Sequence, residues 1–207
     1  STIAIFAALA LLTGIAFAQG WTAVYLEFGD HGWLWWAASV VLLIVGHDTY
    51  FYWTHRAMHH PRLYRWFHRT HHRSVSPSPW AAYSFAPAEA VVEGAYLTIV
   101  VFLVPLHPTA ILLFIVHQLA RNVLGHSGIE LFPRGASHSR WLGRLTMTTH
   151  HDLHHRRVHG NYGLYFTWWD RWMGTEVEDY KAVFDAVPRS RAEAAGATHE
   201  RAPAADR

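Results

Sequence analysis

Histidine is the residue type in this chain that could do chemistry, and its spacing is ordered. The stretch from His47 to His72, HDTYFYWTHRAMHHPRLYRWFHRTHH, holds seven histidines. His55 and His59 stand four apart, and His68, His71 and His72 stand at i, i+3 and i+4. On a helix these offsets place imidazoles on one face. A second block, His151, His154 and His155, repeats the i, i+3, i+4 pattern. Neutral imidazole is the commonest metal ligand and suits iron, zinc, copper or nickel. Eight such ligands exceed the four positions of a tetrahedral zinc site, so the count argues for two metal ions.

A metal-bound imidazole usually donates its other N–H to a carboxylate or carbonyl. Asp48, Asp152 and Asp170 are the acidic residues near the blocks that could serve, with ion pairing to nearby arginines as the competing role for each. His31, His107, His138 and His199 fall in turns or the tail and read as surface residues. His47, His117, His150 and His159 read as structural. His126 is isolated, and spacing alone leaves it open.

The elements that must position these side chains are apolar. Of 207 residues, 51% are hydrophobic, 15% aromatic and only 15% charged, against a usual quarter for the charged class. With no cysteine, thiolate metal sites, iron–sulfur clusters, disulfides and thiol nucleophiles are excluded. The net charge of +2 comes with arginines clustered beside the histidines, without any nucleic-acid-binding signature.

Residues 1 to 26 carry no charge, and Ile3 to Phe17 is almost wholly apolar. A signal peptide would end at Ala16-Phe17-Ala18. A transmembrane helix is the preferred reading, because later segments are also membrane-like. A second apolar helix, from about Trp33, runs without a break into the histidine stretch and carries His55 and His59 beyond it. Pro61 ends it, and a new helix from about Arg62 is predicted to carry His68, His71 and His72. Residues 88 to 124 predict a helical hairpin with its turn at Val104 to Pro108, leaving Glu89, Glu93 and Arg121 toward the open end. A basic connection then leads to the second block, and Gly160 to Gly163 makes a turn. From about Arg189 an Ala/Arg/Glu/Pro tail reads as disordered. The expected architecture is all-α: about four membrane spans as hairpins under a cytosolic helical cap holding a dimetal site. It forms one membrane-embedded domain over residues 1–188, followed by the tail. Both arginine clusters flank the histidines, placing them on the cytoplasmic side by the positive-inside rule. The many tryptophans suit a membrane interface.

The pattern Asp48-x-x-Tyr-x-Trp-x-His55-Arg56-x-x-His59, His68-x-x-His71-His72 and His151-Asp152-x-His154-His155 resembles the fatty acid hydroxylase/sterol desaturase superfamily. Asn161-Tyr162-Gly163 and Trp169-Asp170-Arg171-x-x-Gly174-Thr175 extend the likeness, which runs from about residue 45 to 175. The resemblance implies that His55, His59, His68, His71, His72, His151, His154 and His155 are metal ligands, and it adds His126. Asn122 stands where some members carry a further histidine. In fatty acid 2-hydroxylases the first box would select His60 rather than His59. The resemblance further implies two irons, with zinc in purified material as an alternative, and O2 as co-substrate. A separate ferredoxin- or cytochrome b5-type protein would supply electrons.

The expected activity is hydroxylation of a lipid C–H bond, with lipid or sterol desaturation or carotenoid hydroxylation as alternatives. A bis-histidine haem carrier would need single histidines facing across two helices. A metal transporter would need ligands at mid-membrane, where these apolar segments carry none. The expected partners are the bilayer and a hydrophobic substrate, with no nucleic acid.

Overall fold

The computed structural model describes residues 2–75 and 77–189. The described chain is helical, with one isolated bridge between Leu145 and Phe166 and no strand. Four long helices form the body: α1 (Thr2–Ala18), α2 (Gly32–Met58), α4 (Pro87–Leu103) and α5 (Pro108–Gly125). The short helices α3 (Pro61–Phe67), α6 (Thr148–Arg157), α7 (Trp168–Trp172) and α8 (Tyr180–Ala186) make a cap at one end. The tail expected from about Arg189 lies, from residue 190 onward, outside the described residues, as does His199; Arg189 itself donates to the carbonyls of Phe132, Phe184 and Val187.

Prolines set the boundaries. Pro61, Pro87 and Pro108 each occupy the start of a helix, where a missing N–H costs nothing. The predicted turn between α4 and α5 is present, and His107 organises it. Its ring accepts from the Thr109 N–H and meets the Leu26 carbonyl at 3.1 Å, so this buried residue ties the turn to the segment before α2. The expectation of a surface residue there is corrected.

The helices alternate in direction. Thr2, at the start of α1, reaches the Phe85 carbonyl near the cap, while Ala23 and Tyr25 bond to Val101 and Leu106 at the opposite end. α1 packs mainly on α4, and α2 on α5. Gly46 and Gly94 permit these approaches. A Cβ at Gly46 would lie 2.6 Å from the Tyr96 hydroxyl, and one at Gly94 would lie 2.5 Å from Leu9. Leu43, Tyr96, Val101, Leu106 and Phe114 form the core of the body, while Met147, Leu153, Tyr180 and Phe184 form that of the cap.

α2 and α5 are long and apolar enough to cross a membrane. At 27 residues, α2 extends about 40 Å, against roughly 30 Å for a bilayer core. α1 is apolar throughout but has 17 residues, and α4 also has 17 and carries two glutamates. The outer faces are covered with exposed large apolar side chains, among them Leu12, Leu34, Val41, Ile99, Leu103, Leu112 and Val116.

Candidate metal centre

The nine histidines singled out from the sequence converge at the cap end of the helical body. His55, His59, His68, His72 and His154 form one group, and His71, His126, His151 and His155 form the other. Within each group one nitrogen per residue lies within 4.8 Å of all the others, and every member is buried. His60 is excluded: it is exposed and accepts from the Arg62 N–H at the start of α3.

Local structure explains the sorting. His55 and His59 use the last turn of α2, four apart on one face. In α6, His151 and His155 share a face and serve the second group, while His154 points into the first. The predicted helix through His68, His71 and His72 does not form. α3 stops at Phe67, His68 caps it, and His71 and His72 lie in a single 3₁₀ turn ending at Arg73. Neighbouring residues in such a turn diverge by about a third of a rotation. His71 therefore enters one group and His72 the other. The His154-His155 doublet divides in the same way, so each adjacent pair contributes one imidazole to each group.

The nitrogens meet edge to edge. His55 and His68 have Nε2 atoms 2.9 Å apart, and His72 and His154 3.0 Å. In the second group His126 lies 3.0 Å from His151 and 3.2 Å from His71, and His155 lies 3.0 Å from His151. Imidazole nitrogens about 2.1 Å from one ion, at right angles about it, would be roughly 3 Å apart. The residues present therefore fit a metal ion in each group.

The outward-facing nitrogens support this fit. Nδ1 of His55 faces the Tyr162 carbonyl at 2.9 Å, that of His154 the Gly160 carbonyl at 2.8 Å, and that of His126 the Asn122 carbonyl at 2.8 Å. Nδ1 of His68 meets the Glu89 carboxylate at 2.5 Å. A proton on each Nδ1 leaves the Nε2 lone pair directed inward, the tautomer a metal requires. Both ring nitrogens of His59 are buried without any hydrogen-bond partner, which is costly unless something else engages one. Burial, followed by neighbouring imidazoles, holds His68, His71, His151 and His154 well below the usual histidine range. Burial brings His72 and His126 down to about 4, so the group is neutral and able to bind.

The carboxylates expected to support the ligands do other work. Asp48 accepts from the backbone N–H groups of Tyr165 and Phe166 and from Trp168 Nε1. Asp152 pairs with Arg156 at 2.8 Å on a partly exposed face and reaches no imidazole of either group. Asp170 accepts from the N–H groups of Tyr162 and Gly163 and from the Thr175 hydroxyl. It therefore fixes the loop whose carbonyls hold His55 and His154, and acts on the ligands only through that loop. Desolvation raises the pKa values of both Asp152 and Asp170. Asn122 donates from its side chain to the Ala82 carbonyl, so its amide braces the cleft wall while its backbone orients His126.

Among the described residues Glu89 is the carboxylate that hydrogen-bonds a histidine of either group, and sequence spacing carries no signal for it beyond its place at the open end of the hairpin. Glu130 has no sequence signal either. It is buried and accepts from the Thr149 backbone and hydroxyl, anchoring the first turn of α6. His47 and His117 pack on Tyr165, and His150 lies against Asp170 and Tyr180, all outside the two groups. A cleft lined by His68, His71, His126 and His151 opens beside the centre. Next to it a cavity of about 600 Å³ runs between α1, α4 and α5, lined largely by apolar side chains.

Residues 40–175 match the fatty acid hydroxylase family model. The chain belongs to this family. The histidines of both groups lie inside the matched region. Its relatives include a Δ7-sterol 5(6)-desaturase of Gibberella zeae, 34% identical over 158 residues covering 76% of this chain and 47% of the relative. Methylsterol monooxygenase 1 of Rattus norvegicus is 32% identical over 131 residues, 63% of this chain and 44% of the relative. Lathosterol oxidase of the same organism is 31% identical over 155 residues, 74% and 50% respectively. The chain thus spans about half the length of these curated relatives. No solved structure matches it. Desaturase, monooxygenase and oxidase are names of oxidoreductases, and the fatty acid hydroxylase/sterol desaturase superfamily expected from the histidine boxes is the one found.

Proposed function

We propose that this protein is a membrane-embedded, non-haem di-iron oxygenase that uses O2 and electrons from a separate carrier protein to oxidise a C–H bond of a lipid. One observation carries the reading: two buried, nearly all-nitrogen groups of histidines, one of five and one of four, beside an apolar cavity. His55, His59, His68, His72 and His154 would hold one iron, and His71, His126, His151 and His155 the other. Bound there, the irons would supply activation of O2 and removal of hydrogen from an otherwise unreactive carbon.

The chain's own residues do the rest. Glu89 and the carbonyls of Gly160, Tyr162 and Asn122 hold ligand protons on Nδ1 and fix the ring orientations. Glu89 also offsets part of the positive charge that neutral ligands leave in place. The α1–α4–α5 cavity is large enough for a small-molecule ligand. Its apolar walls bind the hydrophobic substrate and exclude water from the reacting carbon.

In this reading α1, α2, α4 and α5 cross the bilayer, with α1 and α4 as short spans. The arginine-flanked cap then faces the cytoplasm. Hydroxylation is the primary assignment. Desaturation shares the initial hydrogen removal and is favoured as the second reading by the name of one of the relatives, the Δ7-sterol 5(6)-desaturase.

The test is turnover of a lipid panel by purified protein with a reducing system and isotopically labelled O2. Labelled oxygen in the product supports hydroxylation, and a new double bond without label supports desaturation. Undiminished turnover after removal of the metals would overturn both.

A further inference from the structure

The large cavity is lined largely by apolar side chains, and a carboxyl and an amide stand where it meets the histidine groups. On α4, Glu93 follows Glu89 by four residues and so lies one turn deeper on the same face. On α5, Gln118, Asn122 and His126 likewise succeed one another at intervals of four. Glu93 and Gln118 line both the cavity and the cleft containing His68, His71, His126 and His151, so they stand at the junction. Glu93 makes no hydrogen bond or ion pair among the described residues. Gln118 lies within reach of the Tyr83 hydroxyl.

Most other polar groups on the cavity wall are already engaged. Thr13 donates to Leu9, Thr98 to Gly94, and His47 pairs with Tyr165. Thr22 has an unpartnered hydroxyl, but at the opposite end, where Ala23 bonds to Val101. A polar side chain facing an apolar cavity without a partner is costly unless the occupant supplies one.

We propose that Glu93 and Gln118 form a receptor for a hydroxyl group on the substrate, which enters hydroxyl-first and is oxidised within a few bonds of that group. This rests on the oxygenase reading above. A hydroxyl both donates and accepts, so it can satisfy a carboxyl and an amide together. A substrate carboxylate would meet the Glu93 carboxyl and be disfavoured, which distinguishes a sterol or long-chain alcohol from a free fatty acid. One helical turn is about 5.4 Å, so a hydroxyl at the level of Glu93 brings the carbons beside it to within about one turn of the level of Glu89 and His68.

The experiment measures binding to the iron-loaded protein in phosphatidylcholine nanodiscs, with iron content as the check on folding. Cholesterol is compared with cholestane, hexadecanol with hexadecane, and hexadecanol with palmitate. The expected result is at least a tenfold preference for the hydroxylated member of one pair, which identifies the skeleton, and weaker binding of palmitate. Glu93→Leu with Gln118→Leu should bring the ratio close to one without weakening the hydrocarbon. Glu93→Gln should keep the preference, as should Thr22→Val. If the double variant does not fold, Gln118→Leu alone should still reduce the ratio. No preference in the wild type, a preference that survives these leucine substitutions, or one lost in Thr22→Val would overturn the proposal. Turnover is scored separately: a hydroxyl preference without any oxidation of the bound lipid would contradict the oxygenase reading and leave the receptor standing.

Discussion

Substituting Glu89 by glutamine distinguishes support of the metal ligands by direct contact from support by mere nearness in sequence. Glu89 is 1% exposed and accepts from Nδ1 of His68 at 2.5 Å. Nearby cations would keep the carboxylate ionised. A hydrogen bond to a charged group contributes about 1.5–3 kcal/mol and a neutral one about 0.5–1.5. The amide keeps the size but loses the charge, so the difference is on the order of 1–1.5 kcal/mol, or about tenfold in affinity. The loss should fall on the His55, His59, His68, His72 and His154 group alone, because Glu89 touches no ligand of the other. Asp152→Asn is the comparison. Asp152 pairs with a half-exposed Arg156, an interaction worth roughly 0–1 kcal/mol that engages no imidazole of either group among the described residues. Chelator competition followed by elemental analysis would check this. Glu89→Gln should release one metal of two at about one-tenth of the chelator concentration needed for the wild type, and Asp152→Asn should match the wild type. Equal behaviour of the two variants would refute a supporting role for Glu89 through His68.

Other expectations follow from the same contacts. His59→Ala should lower metal content while His60→Ala leaves it unchanged, since only the former lies in a group. Asp170→Ala removes the acceptor for two buried backbone N–H groups and the Thr175 hydroxyl, and should destabilise the fold by about 3–5 kcal/mol, measured by thermal unfolding. Gly46→Val should also lower the melting temperature, because its side chain would displace the Tyr96 hydroxyl from the Leu43 carbonyl. A reporter fused after Thr175 should read out on the cytoplasmic side, and a readout on the opposite side would overturn the charge-based topology.

Much of the site was legible in the sequence because i, i+3 and i+4 spacing carries information about helical faces. His55 with His59, and His151 with His155, behave as that rule requires. The rule misled at His68, His71 and His72, where α3 ends early and a 3₁₀ turn divides the pair. Spacing also cannot report convergence between distant elements. It offers His126 no partner, although His71 and His151 lie within 3.2 Å of it. It ranks carboxylates by nearness to the boxes and therefore selects Asp48, Asp152 and Asp170, whereas Glu89 arrives from another helix. The α4–α5 hairpin was readable from its prolines. The cavity was not, because it depends on α1 packing against α4 while α2 packs against α5.

The most direct test of a centre built from two separate histidine groups is the iron stoichiometry of the purified protein and of two single substitutions. The wild type should hold about two non-haem irons per chain, and either His154→Ala or His151→Ala about one. The double substitution should remove both. A haem spectrum, or a single metal lost equally in both single variants, would contradict two independent groups.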